Sequence, residues 1–546
     1  MVWPALASSA AIAICLFGNL GALGLVGPDE PRYVWIARAM AETGDWVTPR
    51  LYGQPWFEKP VLYYWAAAMG FLLHLPAEWA ARLPSACAAL AAALAVAWLA
   101  KTYYGGYASS LSSPVLLAPV IFSTSVAAIG FARAATPDML FSASIALAMA
   151  CAATVFRNAG ALRELNSAPR TPRGNALPLL LFGALLGAAV LAKGPAAIAL
   201  AAGAIGLWAL ATKQWRAALR VAHPFAIATF CVVALPWYIL CAVRNPDFLR
   251  VFLWQHNFER YVSPIFQHRQ PFWYFGPIVL LAMLPWTPLF WPVVQEGLRL
   301  WREKSWTNST GLFFACWAVF PVLFFSVSQS KLPGYILPAI PPLALLCAVG
   351  VIRAISGGHS RARRILGSLG IVWVLAAIAM GVAASPISSH VFGKEWPGLP
   401  SGMSAAVAAF LAALLLLAVN YLGKPWLVLL LCVVLVAVGL EFVSLKFLPL
   451  LDSSVSARPH AEFMRNDQHP DRIFTYELRR SWTYGLTFYF RRELPEWSPR
   501  DPMPALVLTT PDGLEQIKKL GRFRGELEET RPGLVYVPIG PIPVSR

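Results

Sequence analysis

Long apolar stretches constrain this chain more than any other feature of its sequence. Runs of roughly 17 to 25 predominantly apolar residues, the length of helix that crosses the hydrocarbon of a bilayer, recur from residue 5 to residue 447. We count about thirteen such runs. Only 13% of the residues are charged, against about 25% in a typical soluble domain. The chain is therefore predicted to be an α-helical, polytopic membrane protein.

The linkers between the predicted spans give the orientation. The spans lie near residues 5–26, 77–100, 108–130, 138–156, 177–193, 195–211, 223–243, 272–294, 311–328, 335–352, 365–384, 402–421 and 425–447. A cytoplasmic N-terminus places linkers that are rich in arginine and nearly free of acids, such as residues 353–364, in the cytoplasm, as the positive-inside rule requires. An odd number of spans then carries the C-terminal tail to the outer face.

The C-terminal tail has a different pattern from the rest of the chain. RIFTYE, PALVLTT and PGLVYVPI read as short strands, and PDGLEQIKKL reads as a helix with Asp512 near its start. We therefore predict two domains. Residues 1–451 form a transmembrane catalytic domain, and residues 452–546 form a small periplasmic α/β domain.

The positive charge belongs mainly to the membrane part. The net charge is +17, and residues 1–451 contain 30 of the 44 basic residues but only 14 of the 27 acidic ones. Basic loops beside anionic lipid headgroups explain this distribution. Nucleic acid is excluded as a partner, because no polar, basic, aromatic-bearing fold is present to bind it.

One outer loop, residues 27–76, is crowded with charge in a chain that has little. It begins GPDEPRYVWIARAMAETGDWVTPRLYGQPWFEKP. Asp29 and Glu30, just before a proline, are a typical helix start, and an apolar stripe follows over residues 33–40. A second polar-then-apolar segment begins at Glu58. We therefore predict two interfacial helices and an active-site loop here.

Further charged groups fall on the same predicted face. They are Arg133 and Asp138 in FARAATPDML, His268 and Arg269 in FQHRQPFWYF, and Lys331 in SQSKLPGYILP. Each group alone fits either a structural ion pair or a functional site. Because ionisable side chains at this depth are costly, their concentration on one face indicates a site.

Acids and bases at the outer headgroup level suit a substrate delivered by a lipid carrier. Lys59, Arg269 and Lys331 are candidates to bind the carrier's phosphate. Negative charge grows on that phosphate when a sugar leaves it, so preplaced cations stabilise the transition state more than the ground state. A carboxylate would act at the other side of the sugar carbon, as a base or as a stabiliser of positive charge.

Four stretches of the chain resemble a known family. They are PDEPRYVWIARAMAETGDWVTPRLYG, FEKPVLYYW, FLWQHNFERYVSPIFQHRQPFWYF and SQSKLPGYILPAIPPLALL. They are similar to polyprenyl-phosphate-sugar transferases of the membrane GT-C class, most closely the aminoarabinose lipid A transferases, and also to protein mannosyltransferases. The resemblance covers the whole chain and implies the GT-C fold with a C-terminal periplasmic domain.

The resemblance also implies roles for individual residues. Asp29 and Asp138 are the expected catalytic carboxylates. The expected ligands of the donor phosphate are Lys59, Arg269, Lys331 and Arg32, and the residues expected to line the cavity are Glu58, Tyr33, Tyr335, His268 and Glu30. No cofactor is expected. Glu58 and His268 are the residues that would bind a divalent metal if one is required, although spacing alone gives no ligand set.

The implied activity is sugar transfer at the periplasmic face of the bacterial inner membrane. The resemblance implies an undecaprenyl-phosphate-linked aminoarabinose donor and a lipid A phosphate as acceptor, and we expect a monomer surrounded by membrane lipids. For a phosphate acceptor, Asp29 would orient the donor, whereas for a hydroxyl acceptor it would be the general base. Both roles stay open.

Two alternatives differ in what they predict. A GT-C enzyme could instead transfer galacturonic acid or mannose to lipopolysaccharide core or to protein. A lipid flippase would show internal repeats and broken helices near the midplane. The nearest such feature is Lys193 in LAKGPAA, which we interpret as a lysine that snorkels to the outer interface.

Overall fold

Helices dominate the architecture. The computed structural model describes residues 2–105, 113–162, 174–262, 269–384, 402–465, 473–498, 500–501, 505–520, 529–531 and 534–539. Within these ranges, the β-strands form a short hairpin near the N-terminus and a four-stranded sheet near the C-terminus. The predicted fold class, an α-helical polytopic protein with a small α/β part, is confirmed.

The helical part contains nineteen described α-helices before the C-terminal region. They are α1 (Val2–Phe17), α2 (Asp29–Thr43), α3 (Leu62–Leu72), α4 (Ala77–Tyr104), α5 (Pro114–Ser123), α6 (Val126–Ala132), α7 (Asp138–Asn158), α8 (Ala176–Lys193), α9 (Ala196–Thr212), α10 (Trp215–Ala218), α11 (Pro224–Arg244), α12 (Arg260–Val262), α13 (Phe275–Ala282), α14 (Phe290–Arg302), α15 (Thr310–Val327), α16 (Ile340–Ser356), α17 (His359–Ala384), α18 (Gly402–Tyr421) and α19 (Pro425–Phe442). A π-helical segment, Arg250–Glu259, precedes α12, and a 3-10 helix, Pro333–Ala339, precedes α16.

The described helices account for the predicted spans. Nine are long and apolar enough to cross a membrane, and the number is eleven if each of two bent pairs, α5 with α6 and α13 with α14, forms one span. Helices α1 and α9, with 16 and 17 residues, occupy the positions of the two remaining predicted spans. Each predicted span therefore overlaps a helix or a bent pair.

Two spans occupy the centre of the bundle. The most apolar window of α7 is 78% buried, and that of the run Pro333–Ser356, which includes α16, is 83% buried. The corresponding window of α11 is only 22% buried, so α11 lies at the periphery. The two central helices begin close together, because Gly334, in the segment before α16, approaches Asp138, the first residue of α7.

The outer loop forms the two predicted helices with a hairpin between them. Helix α2 ends at Gly44, which caps it in the left-handed conformation with φ 71°. Strands β1 (Arg50–Leu51) and β2 (Gln54–Pro55) follow, with Tyr52 and Gly53 at positive φ as in tight two-residue hairpins. The apolar stripe of α2 is buried, so it packs against protein and not into the bilayer interface.

The C-terminal region carries a four-stranded sheet. Its strands are β3 (Ile473–Tyr476), β4 (Ala505–Thr509), β5 (Glu529–Arg531) and β6 (Leu534–Ile539), in the order β3-β4-β6-β5. Strands β3 and β4 are parallel and the other pairs are antiparallel. The helices are α20 (Leu448–Val455), α21 (Arg458–Arg465), α22 (Arg480–Phe490) and α23 (Pro511–Lys519). Helix α23 and three of the strands were predicted, whereas α22 was not.

The C-terminal region is fastened to the membrane part by buried polar contacts. The Tyr489 hydroxyl donates to Glu78 Oε1 (2.7 Å) and accepts from the Leu25 amide (2.8 Å). Arg458 pairs with Glu78 at 3.5 Å and donates to the Gly21 carbonyl at 2.9 Å. The predicted domain boundary after residue 451 falls within α20, so the division into two domains stays a prediction.

Candidate functional site

A cavity of about 410 Å³ opens where the outer loop meets the ends of the central helices. Its charged and imidazole groups are Glu58 and Lys59 from the loop, Lys193 from the end of α8, and His256 and Arg260 from the segment after α11. Much of the remaining wall is apolar and includes Phe141, Leu253, Phe258, Tyr261, Phe324, Phe325 and Tyr335. Such a combination fits an anion attached to a hydrocarbon chain.

Glu58 lies among three cations. Arg32 Nη2 is 2.9 Å from Glu58 Oε2, while Lys59 Nζ and Arg260 Nη1 are 3.2 Å and 3.7 Å from Oε1. Burial raises the pKa of Glu58, but the charges of Lys59, Arg32 and Arg260 outweigh burial and lower that pKa to about 2. The Glu58 carboxylate is therefore ionised at neutral pH.

His256 is neutral in the same surroundings. Burial lowers the pKa of its imidazole to about 4; Glu58 opposes this change, and the nearby cations Lys59, Arg260 and Arg32 reinforce it. A π-helical segment carries this residue, and π-helical turns often occur at functional sites.

Arg32 connects Glu58 to Asp29. Its Nη2 atom is 2.5 Å from Asp29 Oδ1, one helical turn earlier on α2. The Asp29 side chain is 53% exposed, whereas the Arg32 and Glu58 side chains are 11% and 12% exposed. Asp29 also lies in the first turn of α2, where the helix dipole favours a negative charge. It is therefore an accessible carboxylate at the edge of a buried ion-pair network.

Three aromatic rings surround the Arg32 guanidinium. Its central carbon is 5.4 Å from the ring centres of Tyr33 and Trp56 and 5.8 Å from that of Tyr484 on α22. Arg32 Nε, Trp56 Nε1 and the Tyr64 hydroxyl are buried and have no hydrogen-bond partner among the described residues. Buried donors normally have partners, so these three fit a site that a polar ligand completes.

Asp138 and Lys193 form a second ion pair beside the first network. The Lys193 ammonium is also 4.8 Å from the Tyr335 ring centre and 5.6 Å from that of Phe141. The expectation that Lys193 snorkels to the interface is wrong, because its side chain lines the cavity. Gly194, with φ 100°, ends α8 at this point and α9 begins two residues later.

The KLPGY stretch passes close to Asp138. A Cβ atom on Gly334 would lie 2.8 Å from Asp138 Oδ1 and equally close to the Phe131 ring, so only glycine fits without a shift of its neighbours. This close approach places the next residue, Tyr335, in the cavity wall.

A second hollow of about 490 Å³ adjoins the cavity. Glu58 and His256 line both spaces, so they form a shared wall. The second hollow is more exposed and is also lined by Trp56, Arg244, Asn245, Asp247 and Arg250. Arg244 pairs with Asp45 at 3.3 Å and Arg250 pairs with Asp247 at 3.0 Å.

Most of the residues singled out from the sequence are brought together. Glu58, Lys59 and Tyr335 line the cavity, Arg32 and Asp29 extend from Glu58, and Asp138 reaches the cavity through Lys193. Their roles in catalysis and binding stay predictions.

Glu30 and Tyr33, expected to line the cavity, pack behind it. Glu30 is 5% exposed and pairs with Arg82 at 2.8 Å, and it also accepts from the amides of Val26 and Ala135. Its charge thus compensates a buried arginine, which is a structural role. Tyr33 is 3% exposed and packs against Tyr63 and Tyr64. Neither residue is among those that line the described cavity wall.

Two of the expected phosphate ligands, Lys331 and Arg269, are also not among the described residues of the cavity wall. Lys331 is buried, and its ammonium donates to the Ser328 carbonyl at 2.5 Å. Arg269 is exposed and contributes to neither hollow. His268 lies outside the described residues.

Sequence reasoning missed His256, Arg260 and Lys193. The first two lie in the stretch FLWQHNFERY, and their spacing of four puts them near one face of a helical turn. Lys193 was missed because its partner, Asp138, lies 55 residues away in the chain.

A metal site requires several ligands that converge on one point. Within the described ranges, no three His, Cys, Asp or Glu side chains converge as a metal-binding group. One of the two candidate ligands, His268, is not described. A divalent metal therefore stays a hypothesis, and no step below depends on one.

Comparison with known sequences gives a consistent family. Residues 1–252 match the family model described as dolichyl-phosphate-mannose-protein mannosyltransferase. A relative from Edwardsiella ictaluri, named undecaprenyl phosphate-alpha-4-amino-4-deoxy-L-arabinose arabinosyl transferase, is 34% identical over 67% of this chain and 63% of its own length. A relative of the same name from Aeromonas salmonicida is 30% identical over 80% of this chain and 75% of its own length. The chain thus spans less than two-thirds of the Edwardsiella protein in the alignment.

Solved structures show the same fold. The crystal structure of ArnT from Cupriavidus metallidurans bound to undecaprenyl phosphate superposes with a TM-score of 0.76 and 24% identity, covering 99% of both chains. The apo structure of that protein also gives a TM-score of 0.76, with 23% identity. At these identities the likeness establishes the fold alone.

Proposed function

We propose that this chain, which belongs to the family of undecaprenyl phosphate-alpha-4-amino-4-deoxy-L-arabinose arabinosyl transferases, moves 4-amino-4-deoxy-L-arabinose from undecaprenyl phosphate to a phosphate of lipid A. The observation that carries the proposal is the cavity, in which Lys59, Lys193 and Arg260 meet an aromatic wall. It is suited to a phosphate at the end of an isoprenoid chain.

The three cations would bind the carrier's phosphate. Arg260 offers a planar fork, and the two ammonium groups add point charges from different elements. The Glu58 carboxylate neutralises part of this charge and keeps Lys59 and Arg260 oriented. Isoprene units would then pack on Phe324, Phe325 and their aromatic neighbours.

The reaction would be a displacement at the sugar's anomeric carbon. An oxygen of the lipid A phosphate attacks C1, the bond between C1 and the carrier's phosphate oxygen breaks, and the electron pair stays on the carrier phosphate. Lys59, Lys193 and Arg260 stabilise the negative charge that develops there. No proton has to leave a phosphate acceptor that is already ionised, so Asp29 would act by orienting the sugar or by balancing positive charge at C1.

The second hollow would receive the acceptor. It shares Glu58 and His256 with the donor cavity, so groups in the two spaces meet at that wall. Arg244 and Arg250 would attract an anionic acceptor, and their own partners, Asp45 and Asp247, would be displaced in part.

The chain is a multi-pass inner-membrane protein, and we infer that its site faces the periplasm. The cavity lies at the end of the spans opposite the arginines at the end of α16 and the start of α17, which the positive-inside rule assigns to the cytoplasm. We further propose that the protein acts as a monomer, because all of the groups named above come from one chain.

The proposal is tested by mass spectrometry of lipid A. The chain is expressed in a bacterium that lacks its own aminoarabinose transferase but makes the donor. We expect one aminopentose on a lipid A phosphate, and none when Asp29→Asn replaces the wild-type chain. An unmodified lipid A with normally inserted protein and intact donor would contradict the proposal.

The family-model match favours one other function, which is mannosyl transfer from a polyprenyl phosphate to protein. Cells that express the chain would then contain mannosylated proteins, and their lipid A would be unmodified. A lipid flippase would yield neither product, because it would move the donor across a vesicle membrane without removing its sugar.

A further inference from the structure

Helix α14 turns its apolar face away from the protein. Trp291, Val294, Leu298 and Trp301 follow one another at helical spacing and are 62%, 50%, 49% and 66% exposed. The opposite face is tied to the bundle, because Glu296 pairs with Arg353 at 2.6 Å. In water this orientation would be unfavourable, so the exposed face is expected to lie against lipid.

A groove of about 790 Å³ runs between α14 and the first turns of α17. It is lined by Trp291 and Leu298, by one acid, Glu303, and by four arginines, Arg299, Arg302, Arg361 and Arg364. The groove therefore joins the apolar face of α14 to a concentration of positive charge.

Part of that charge is uncompensated. Arg299 is 2.8 Å from Glu296 and 3.4 Å from Glu303. Arg302 and Arg364 are exposed, and no carboxylate of the described residues lies within ion-pair distance of either. Like charges held near one another without partners favour an anion from outside the chain.

The groove lies one membrane crossing from the cavity. Helix α15 starts eight residues after Arg302 and ends at Val327, next to Ser328 of the cavity wall. Its 18 residues span about 27 Å at roughly 1.5 Å per residue. Helix α16 returns from Tyr335 of the cavity towards Arg361. The groove and the cavity therefore lie at opposite faces of the membrane.

We propose that this groove binds the headgroup of an anionic phospholipid in the leaflet opposite the cavity, which is the cytoplasmic leaflet in the orientation above. The guanidinium groups of Arg302 and Arg364 donate hydrogen bonds to the headgroup phosphate, and the acyl chains pack against Trp291 and Leu298. Basic pockets at the ends of membrane helices are suited to such lipids. The lipid is preferred to free phosphate as the occupant, because the groove is continuous with the exposed apolar face of α14.

The test is a lipid titration of the purified full-length chain in detergent, followed by native mass spectrometry. We expect phosphatidylglycerol to bind at least about tenfold more tightly than phosphatidylcholine, a ratio that one charge-assisted contact provides. The double variant R302Q/R364Q should lose this preference. Since both arginines are exposed and have no ion-pair partner among the described residues, the variant is expected to fold, and its thermal unfolding without added lipid checks this.

A matched control removes the same charge elsewhere. The pair R216Q/R220Q, from a separate basic hollow beside α10, should keep the wild-type preference. Should the glutamine pair not fold, R302K/R364K retains the charge and should give an intermediate affinity. Equal loss in the control pair, no preference in the wild type, or full competition by inorganic phosphate would each overturn the proposal. Sugar transfer is not measured here, so failure of this test leaves the proposed function untouched.

Discussion

Lys193 is the residue at which the two charged networks of the cavity meet. It pairs with Asp138 and faces the space that Lys59 and Arg260 also line. We predict that Lys193→Met lowers kcat for sugar transfer by about 10²- to 10³-fold, the usual effect of removing one preorganised electrostatic group. An in vitro assay with purified donor and lipid A measures this.

The control for this prediction is Lys101→Met, which removes an exposed lysine at the far end of α4. It should transfer sugar at the wild-type rate. Loss of transfer in the control, or wild-type transfer by Lys193→Met, would remove Lys193 from the site.

The protonation states of Glu58 and His256 predict a pH response. Their pKa values of about 2 and about 4 keep the carboxylate charged and the imidazole neutral from pH 5.5 to 8. The transfer rates of wild type and His256→Gln should therefore follow the same pH curve after scaling. A step near pH 6.5 that vanishes in His256→Gln would contradict this assignment.

The same two pKa values predict how stability changes in acid. Both folded-state pKa values lie below the ordinary ones, so each group's contribution is present at neutral pH and is lost as the pH falls. For His256 the loss begins near pH 6.5 and is complete below about pH 4; for Glu58 it begins near pH 4.5 and ends below about pH 2. Thermal unfolding of His256→Gln should depend less on pH than that of the wild type between pH 6.5 and 4.

At the scale of elements, the break between α8 and α9 determines where Lys193 points. Gly194 has φ 100°, and a Cβ there would lie 2.9 Å from Asn257 Oδ1. We predict that Gly194→Ala costs about 1–3 kcal/mol in backbone strain and lowers transfer at least about tenfold by displacing Lys193. Gly206→Ala, in α9 with open space around it, should keep full activity.

Helix α22 brings a residue of the C-terminal region to the site. The Tyr484 ring is 5.8 Å from the Arg32 guanidinium, which in turn holds Asp29 and Glu58. We predict that Tyr484→Ala lowers kcat about two- to fivefold with little change in the KM for donor, because a cation–π contact contributes about 0.5–1 kcal/mol and its loss frees Arg32 to move. Tyr484→Phe keeps the ring and should restore the rate. Equal defects in both variants would point to the hydroxyl and not to the ring.

For the whole molecule, local sequence patterns were enough to predict most helices and strands. The arrangement of the site depends on contacts between residues that are far apart in the chain. Apolar length alone located the spans, and the strands β3, β4 and β6 followed from short alternating runs. The partner of Glu30 was not predictable, since Arg82 lies 52 residues away on α4. The hairpin β1–β2 was missed because its two-residue strands give no periodic signal.

Motif similarity also does not show which side chains of a stretch face the cavity. It singled out FLWQHNFERYVSPIFQHRQPFWYF, but a motif that contains two histidines and two arginines does not say which of them face the cavity. Of the described residues in this stretch, His256 and Arg260 line the cavity, because the π-helical segment and α12 pass beside Glu58. Repeated residue types within one stretch are distinguished only by the fold that positions them.

In the proposed mechanism, cations from three separate elements bind the phosphate of the carrier lipid. Its most direct test is the Kd of undecaprenyl phosphate for the purified full-length chain and for Lys59→Met, Lys193→Met and Arg260→Met, with Arg216→Met as the control. We predict that each of the first three weakens binding by about tenfold or more, the value of one charge-assisted contact, and that the control binds as the wild type does. Wild-type affinity in all three cavity variants would contradict the account.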